Sequence, residues 1–222
     1  MLAAGWRGAR MEHMKNIVLP HPSAVPLAQV LRLVPGRAHE GCGPARRVLA
    51  AWMMAQLAPD APVIWIRPRW NPDRLCPQGL RAFASPDALI IVEPARASEI
   101  LACAEEALRT GACALVVAEL PDPPAMTPLR RLHLAAEAGL ERRRSAQRQA
   151  GLTMLLLTPG AGGTPGVESR WHLAPVPAPR APHDPSVEPA WRLGRLRARM
   201  APPAAWEIDA ALRATPCAPA LP

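Results

Sequence analysis

The sequence predicts an α/β fold with a mainly parallel β-sheet, helices on both faces of the sheet, and an antiparallel edge in its C-terminal part. Short apolar runs of strand length alternate with amphipathic segments of helix length between residues 30 and 157, a pattern typical of βαβ units. After residue 170 the pattern changes to two runs, 171–173 and 191–200, that each begin with tryptophan and are separated by a proline-rich stretch. Such runs favour antiparallel strands joined by a long loop.

Composition favours a single domain, because 50% hydrophobic and 20% charged residues are typical of a globular protein. We divide the 222 residues into an irregular lead-in (1–26), a core (27–206) that contains a proline-rich loop (175–190), and a tail (207–222). The apolar runs are too short to cross a membrane, and the first 15 residues do not resemble a secretion signal. We therefore expect a cytoplasmic protein without a membrane partner.

Cysteine and histidine positions argue against a metal site. The five cysteines are an odd set without a C-x-x-C pair, which indicates free thiols rather than a disulfide framework or a zinc site. The group His39, Glu40 and Cys42 has no fourth ligand nearby in the sequence, and alternate strand residues point to opposite faces. We expect no bound metal.

The formal net charge of +8 comes almost wholly from arginine, because Lys15 is the only lysine. A basic surface favours acidic partners or nucleic acid. An excess of arginine, alanine and proline also arises in a GC-rich genome without selection for binding, so composition leaves both explanations open.

The first predicted strand occupies residues 30–42 and runs into a turn at Gly-Cys-Gly-Pro. Pro44 suits the first turn of a helix. The helix that follows carries its apolar residues on one face, namely Val48, Leu49, Trp52, Met53 and Leu57. Prolines bound the next two strands, at residues 63–66 and 88–92, with one short helix between them.

The second half begins with the clearest helical period of the chain, from Ser98 to Gly111. A strand at residues 114–118 then ends at Glu119, and a long helix starts near Thr127. The outer face of that helix is expected to carry Arg130, Arg131, Arg142, Arg143, Arg144 and Arg148. Residues 152–157 form a buried strand, and two edge strands follow at residues 171–173 and 191–200.

The turn after the first strand is where a parallel α/β sheet binds phosphate. Here it consists of Gly43, Pro44, Ala45, Arg46, Arg47, Val48, Leu49 and Ala50. Compared with the loop G-x-x-x-x-G-K-[ST], Val48 replaces the second glycine, Leu49 the lysine and Ala50 the magnesium-binding hydroxyl. Arg46 or Arg47 at a helix N-terminus is only a weak anion site. We predict a degenerate loop with no nucleotide cofactor and no ATP hydrolysis.

Several motifs accompany this order of elements. They are Gly36-Arg37-Ala38-His39-Glu40-x-Cys42-Gly43-Pro44, Ile64-Trp65-Ile66-Arg67-Pro68, Asn71-Pro72-Asp73-Arg74-Leu75, Thr127-Pro128-Leu129-Arg130-Arg131-Leu132-His133, Pro165-Gly166-Val167-Glu168-Ser169-Arg170-Trp171 and Ala201-Pro202-Pro203. Over residues 30–206 the chain resembles the core of RecA, and more closely the ImuA family. ImuA proteins are RecA-related accessory proteins of the SOS response, found beside an error-prone polymerase pair.

The resemblance implies that the protein is not an enzyme. It places Arg67 at the position of the catalytic glutamate of RecA, and arginine cannot act as a base toward water. Glu119 takes the position of the acid that ends the Walker B strand. The glutamine that senses the γ-phosphate is replaced by Thr158 or Pro159. The two DNA-binding loops of RecA are reduced to short connections, of which the second is rich in glycine and is expected to be a turn.

The resemblance also directs attention to arginines near the C-terminus. Arg197 and Arg199 match two RecA lysines that reach the ATP of a neighbouring subunit. With Arg195 they alternate along the last strand, so all three are expected on one face of it. The candidate contacts to a partner or to DNA are Arg195, Arg197, Arg199, Arg142, Arg143 and Arg144. The alternative is a solvated charged edge that discourages aggregation.

The function that the resemblance implies is a non-catalytic RecA-like adaptor in SOS-induced translesion synthesis and mutagenesis. The implied partners are ImuB, RecA and an error-prone α subunit of DNA polymerase III. DNA would be contacted only indirectly, in the cytoplasm and at the nucleoid after DNA damage. Two alternatives remain open: a SulA-like inhibitor of cell division, and an active ATP-dependent recombinase, against which Leu49 and Arg67 count.

Overall fold

The described residues build one ten-stranded β-sheet that is covered by α-helices. The structure, a computed structural model, describes residues 23–148, 151–176 and 190–219. Its strands are β1 (Val25–Pro26), β2 (Ala38–Cys42), β3 (Val63–Ile66), β4 (Leu89–Val92), β5 (Leu115–Glu119), β6 (Thr153–Leu157), β7 (Ser169–Pro175), β8 (Trp191–Ala198), β9 (Ala204–Ile208) and β10 (Arg213–Cys217). Its α-helices are α1 (Leu27–Val30), α2 (Arg46–Met54), α3 (Pro77–Arg81), α4 (Ala97–Thr110) and α5 (Met126–Ser145). Most of the predicted lead-in and of the predicted proline-rich loop lie outside the described residues.

The strands lie in the order β1-β10-β9-β8-β7-β2-β6-β5-β3-β4. Neighbouring strands from β7 to β4 are parallel, and those from β7 to β1 are antiparallel. The predicted fold class is therefore confirmed. Because β2 lies in the middle of the sheet, the loop that follows it opens at the centre of the carboxyl edge, where ligands of parallel α/β sheets bind.

Two apolar clusters, one on each face of the sheet, form the core. Alternate residues of β5 face opposite sides, and Val117 belongs to the first cluster whereas Val116 belongs to the second. The first cluster contains Trp52 of α2 and Leu80 of α3, and the second contains Leu108 of α4. Full burial of such a side chain contributes about 1.5 to 3 kcal/mol, so these faces fix the helices on the sheet.

The ends of α4 follow from its local sequence. The carboxylate of Glu99 accepts a hydrogen bond from the backbone N–H of Arg96 at 3.1 Å, as in a capping box. Gly111 ends the helix in the left-handed conformation, with φ of 63°. The helix then lies against α5 at Gly139, where a Cβ atom would be only 1.9 Å from the carbonyl oxygen of Leu108. The absence of a side chain at Gly139 thus permits the two helices to approach.

The structure differs from the predicted boundaries in three places. Residues 30–37 precede the first strand of the parallel part, because the chain forms α1 and a turn before β2 begins at Ala38. β7 and β8 are interior strands, since β9, β10 and β1 follow them in the sheet. Residues 207–217, assigned to a tail, include the end of β9 and all of β10, and Ala214 pairs with Val25 of the predicted lead-in.

A β-bulge in β8 changes the direction of its arginines. Arg197 lies opposite Arg170 and Arg195 lies opposite Trp171, so that Leu196 has no register partner in β7. An extra residue of this kind interrupts the alternation of side chains along a strand. Arg195 therefore shares the face of Trp171, whereas Arg197 lies on the opposite face. The expectation that the three arginines of this segment share one face is wrong for Arg195.

Arg143 does not lie on the outer face of α5. Its side chain is buried, and Nη1 donates hydrogen bonds to the carbonyl oxygens of Gly111 and Cys113 at 3.0 and 2.9 Å. These carbonyls follow the end of α4, where helix carbonyls lack intrahelical partners and a positive charge is favourable. Arg143 joins α5 to α4, and its assignment as a candidate partner contact is wrong.

Candidate functional site

The degenerate phosphate loop lies between β2 and α2, and its backbone is closed by hydrogen bonds within the protein. The N–H of Gly43 donates to the carbonyl oxygen of Gly160 at 2.9 Å, and the N–H of Ala45 donates to that of Leu173 at 3.0 Å. Gly43 has φ of 89°, and a Cβ atom there would be 2.5 Å from the carbonyl oxygen of Leu173. A phosphate cradle needs free N–H groups, and here two of them are already used.

The side chains that replace the phosphate-binding residues belong to the core. Leu49 and Ala50 are fully buried within the apolar cluster under α2. Val48 is partly buried against the same cluster, and its N–H donates to the carbonyl oxygen of Ala45 at 2.9 Å. None of the three offers a charge or a hydroxyl to a phosphate or a metal ion.

The carboxylate of Glu119, at the end of β5, is saturated by neighbouring side chains. Arg47 donates from Nε to Oε1 at 2.9 Å and from Nη2 to Oε2 at 2.7 Å. Trp65 Nε1 donates to Oε1 at 2.8 Å, and Asn71 Nδ2 donates to Oε2 at 3.4 Å. Only 5% of Glu119 is exposed. The Walker-B-like acid is thus held in a bidentate ion pair with the degenerate loop itself, a strong and geometrically specific arrangement.

Arg67 holds the loop that follows β3, which contains Asn71 and Asp73, over the carboxyl ends of the strands. It is buried at the end of β3, forms an ion pair with Glu93, and donates from Nη2 to the carbonyl oxygens of Asn71 and, at 2.9 Å, Asp73. Arg47 Nη2 donates to the same carbonyl oxygen of Asp73 at 3.1 Å. Arg67, which the resemblance places at the position of the RecA catalytic glutamate, therefore positions a loop.

A cavity of about 290 Å³ remains beside this loop. Four of its lining residues are prolines, which lack the N–H groups that would bind phosphate. Arg46 also lines it, and its Nη1 donates to the carbonyl oxygen of Gly43 at 3.3 Å. Trp70 is 50% exposed at the rim. The cavity thus offers one arginine, and its other polar lining side chains, Asn71 and Glu119, are already hydrogen-bonded to each other.

Glu40, in the middle of the sheet, anchors the glycine-rich loop that leads into β7. The buried carboxylate accepts hydrogen bonds from Thr158 Oγ1 and Thr164 Oγ1, both at 2.7 Å, from the N–H of Gly163 at 3.0 Å, and from Arg170. Burial raises the pKa of Glu40, but the hydrogen bonds from Arg170, Thr164 and Thr158 outweigh burial and lower the pKa. We did not predict this role, although a carboxylate inside a buried strand always requires partners.

His39 and Cys42 also have structural contacts. Trp171 Nε1 donates to Ser169 Oγ at 2.8 Å, and Ser169 Oγ lies 2.7 Å from His39 Nδ1. His39 Nε2 lies 3.1 Å from the carbonyl oxygen of Val34, so Nε2 carries the proton and the serine hydroxyl donates to Nδ1. The thiol of Cys42 donates to the carbonyl oxygen of Trp171 at 3.4 Å. Within the described ranges no group of three or more His, Cys, Asp or Glu side chains is arranged to hold a metal ion.

We expect the neutral His39 to make stability fall at acidic pH. Burial lowers the pKa of His39 from 6.5 to about 4, so the unfolded state binds the proton first as the pH decreases. As the pH falls from 6.5 to about 4, the free energy of unfolding should decrease, and His39 should account for about 3 kcal/mol of this decrease. Urea denaturation across the window measures the loss.

The control for this prediction is His39→Gln, which keeps hydrogen-bonding capacity but does not titrate. Burial also lowers the pKa values of His133 and His172, which contribute in the same direction, so the comparison is between slopes. An equal slope in wild type and variant would contradict the assignment to His39.

The remaining candidate arginines are separated in space. Arg142 is exposed and donates from Nη1 to the carbonyl oxygen of Arg109 at 3.0 Å, and Arg144 is exposed 3.8 Å from Glu141. Arg195 lies over the rings of Trp171 and Trp206, 5.8 and 5.3 Å from their centroids. These distances indicate cation–π stacking.

Comparisons with known proteins support the architecture. No family model and no curated protein matches the sequence. The crystal structure of the RadB recombinase is similar over 85% of this chain and 95% of its own, with a TM-score of 0.52 and 16% sequence identity. The chain has a RecA-like fold. The crystal structure of SulA from Pseudomonas aeruginosa matches 55% of this chain and 98% of the SulA chain, with 21% sequence identity. Its TM-score of 0.42 is too low for residues to be matched.

Within the RecA-like fold, the degenerate loop, Glu119 and Arg67 meet at one place. Arg47 joins the loop to Glu119, and the carbonyl oxygen of Asp73 joins Arg47 to Arg67. Arg197 and Arg199 lie elsewhere, beside α5. No helix among the described residues is long and apolar enough to span a membrane.

Proposed function

We propose that this protein is a non-catalytic RecA-like adaptor in SOS-induced translesion synthesis and mutagenesis, as its resemblance to the ImuA family implies. The observation that carries the proposal is the ion pair between Arg47 and Glu119. The pair ties the degenerate loop to the acid that the resemblance places at the end of the Walker B strand, and it occupies both carboxylate oxygens that would otherwise bind magnesium or orient water.

Closure of the nucleotide site favours a binding function. The partners we propose are ImuB, RecA and an error-prone α subunit of DNA polymerase III, with DNA contacted only through them. The place of action is the cytoplasm, at the nucleoid after DNA damage. An adaptor of this kind needs exposed basic and apolar side chains on a rigid sheet, and Arg197, Leu134 and Trp70 are exposed.

We expect the purified protein to show no magnesium-dependent ATP hydrolysis and Glu119→Gln to retain damage-induced mutagenesis in a deletion strain. Glutamine keeps an oxygen that can accept from Trp65 Nε1, and the side chain of Arg47, which is 27% exposed, can reach water when its ion pair is lost, so the variant should fold. Phosphate release in vitro and mutation frequency after ultraviolet irradiation are the two measurements.

Two results would count against the adaptor. ATP turnover that disappears in Glu119→Gln, together with lost mutagenesis, would indicate an active recombinase. Filamentation on overexpression, without an effect of deletion on mutagenesis, would indicate a SulA-like inhibitor of cell division.

A further inference from the structure

A groove of about 420 Å³ separates α5 from the β7–β8 pair. One wall is a single face of α5, formed by Arg130, His133, Leu134 and Glu137, which recur at helical spacing. The opposite wall consists of Arg197 of β8 together with Glu168, which precedes β7, and Arg199, which follows β8. The groove lies apart from the closed nucleotide site.

Leu134 gives the groove an apolar centre. It is 66% exposed, whereas Leu129 and Leu132 of the same helix are buried. The glycine-rich loop forms the floor: a Cβ atom at Gly166 would be 2.8 Å from Met126 Sδ, so the loop lies directly on α5. The core therefore does not use Leu134, and an exposed leucine in a concave site is suited to a partner's apolar side chain.

The charges around Leu134 are predominantly positive, with four arginines against two glutamates. Arg37 forms an ion pair with Glu137, and Arg199 Nη1 lies 4.0 Å from Glu168 Oε2. Arg130 and Arg197 form no ion pair or side-chain hydrogen bond with any other described residue. Two guanidinium groups thus remain available to carboxylates.

The bulge at Leu196 is what places Arg197 in this groove. Without it, Arg197 would share the face of Arg195, which lies over Trp171 and Trp206. Bulges are often found where a strand must direct one side chain into a site. The bulge in β8 therefore supplies the groove with the guanidinium group of Arg197.

We infer that the groove binds an acidic peptide segment of a partner protein, with an apolar side chain of that segment covering Leu134. Carboxylates pair with Arg130 and Arg197 in the planar geometry that guanidinium groups favour. Nucleic acid fits less well, because no Phe, Tyr or Trp side chain among the described residues lines the groove to stack on bases. The inference rests on the proposed adaptor function only for the existence of a protein partner.

The test uses the full chain and an array of short synthetic peptides that carry one or two apolar residues among aspartates and glutamates. Peptides with lysine in place of each acid serve as controls. We expect a subset of acidic peptides to bind and the double variant Arg130→Glu/Arg197→Glu to weaken the best of them at least about tenfold in fluorescence polarisation. Leu134→Ala should weaken it as well, and binding should decrease with salt.

Arg81→Glu is the matched control, because Arg81 is an exposed arginine in the last turn of α3, outside the groove. It should bind the peptide as wild type does, and thermal melting should show that every variant folds. Failure of all acidic peptides to exceed their lysine counterparts would overturn the inference. So would binding that survives the double variant, or labelled DNA that displaces the peptide and depends on the same arginines.

The groove and the adaptor function fail separately. If the double variant loses peptide binding in vitro, but deletion of the gene leaves mutagenesis unchanged, the groove is supported and the adaptor function is overturned. A gene required for mutagenesis, combined with no peptide binding, would support the function and overturn the groove.

Discussion

Replacing Gly139 with alanine is expected to lower the free energy of unfolding by about 3 kcal/mol, the upper part of the range for an overpacked core. The new Cβ atom would lie 1.9 Å from the carbonyl oxygen of Leu108 and 2.6 Å from Leu152 Cδ2. Because the first of these is a backbone atom, α4 and α5 must move apart to relieve the contact. Urea denaturation of both proteins measures the difference.

Gly79→Ala is the control, since Gly79 is also a helical glycine but its Cβ atom would meet nothing closer than 3.7 Å. Alanine there should leave stability unchanged or raise it by up to about 1 kcal/mol, because alanine favours helix. A Gly139→Ala variant as stable as Gly79→Ala would mean that α4 and α5 do not cross at this point.

Removing the carboxylate of Glu40 should cost about 3 to 5 kcal/mol, the usual effect of breaking a buried ion pair. Glu40→Ala would leave Arg170, Thr158, Thr164 and the N–H of Gly163 without their acceptor. The glycine-rich loop should then become sensitive to protease. Urea denaturation and limited proteolysis give the two readouts.

The control for Glu40 is Glu137→Ala, which removes the exposed ion pair with Arg37 and should cost less than about 1 kcal/mol. Because the pKa of Glu40 is lowered in the folded protein, its contribution is present above the ordinary value of 4.5 and is lost as the pH falls through the folded pKa. Equal losses in the two variants would contradict the anchoring role of Glu40.

Local sequence was sufficient to predict the parallel half of the fold. The strands β3, β5 and β6 are continuous apolar runs, and α4 has both a helical period and a terminal glycine at Gly111. The positions of β7 and β8 were also predicted, but the outer strands β1, β9 and β10 were not predictable in this way. β1 and β10 are short, and each contains a proline. β1 becomes a strand only because Val25 finds Ala214 across 189 positions of sequence, and β10 pairs with β9 as well as with β1.

The candidate site, like the fold, could be predicted from the sequence only in part. The losses at Val48, Leu49 and Ala50 are visible in the sequence, because each replaces one residue of a linear motif. The closure of the site is not visible, since Arg47 and Glu119 are 72 residues apart and nothing local distinguishes Arg47 from Arg46. The same holds for the arginines of β8, whose directions depend on a bulge that arises only when β7 and β8 pair.

The pairing of β1 with β10 has a consequence for how the protein is made. A ribosome releases Val25 well before Ala214, and the strand beside Val25 is complete only after Cys217 has left the exit tunnel. The parallel strands and their helices are complete by residue 175 and can assemble while the later strands are still being made. Until Arg213–Cys217 has emerged, β8 or β9 is an open edge, and cells should hold the nascent chain with chaperones at that stage.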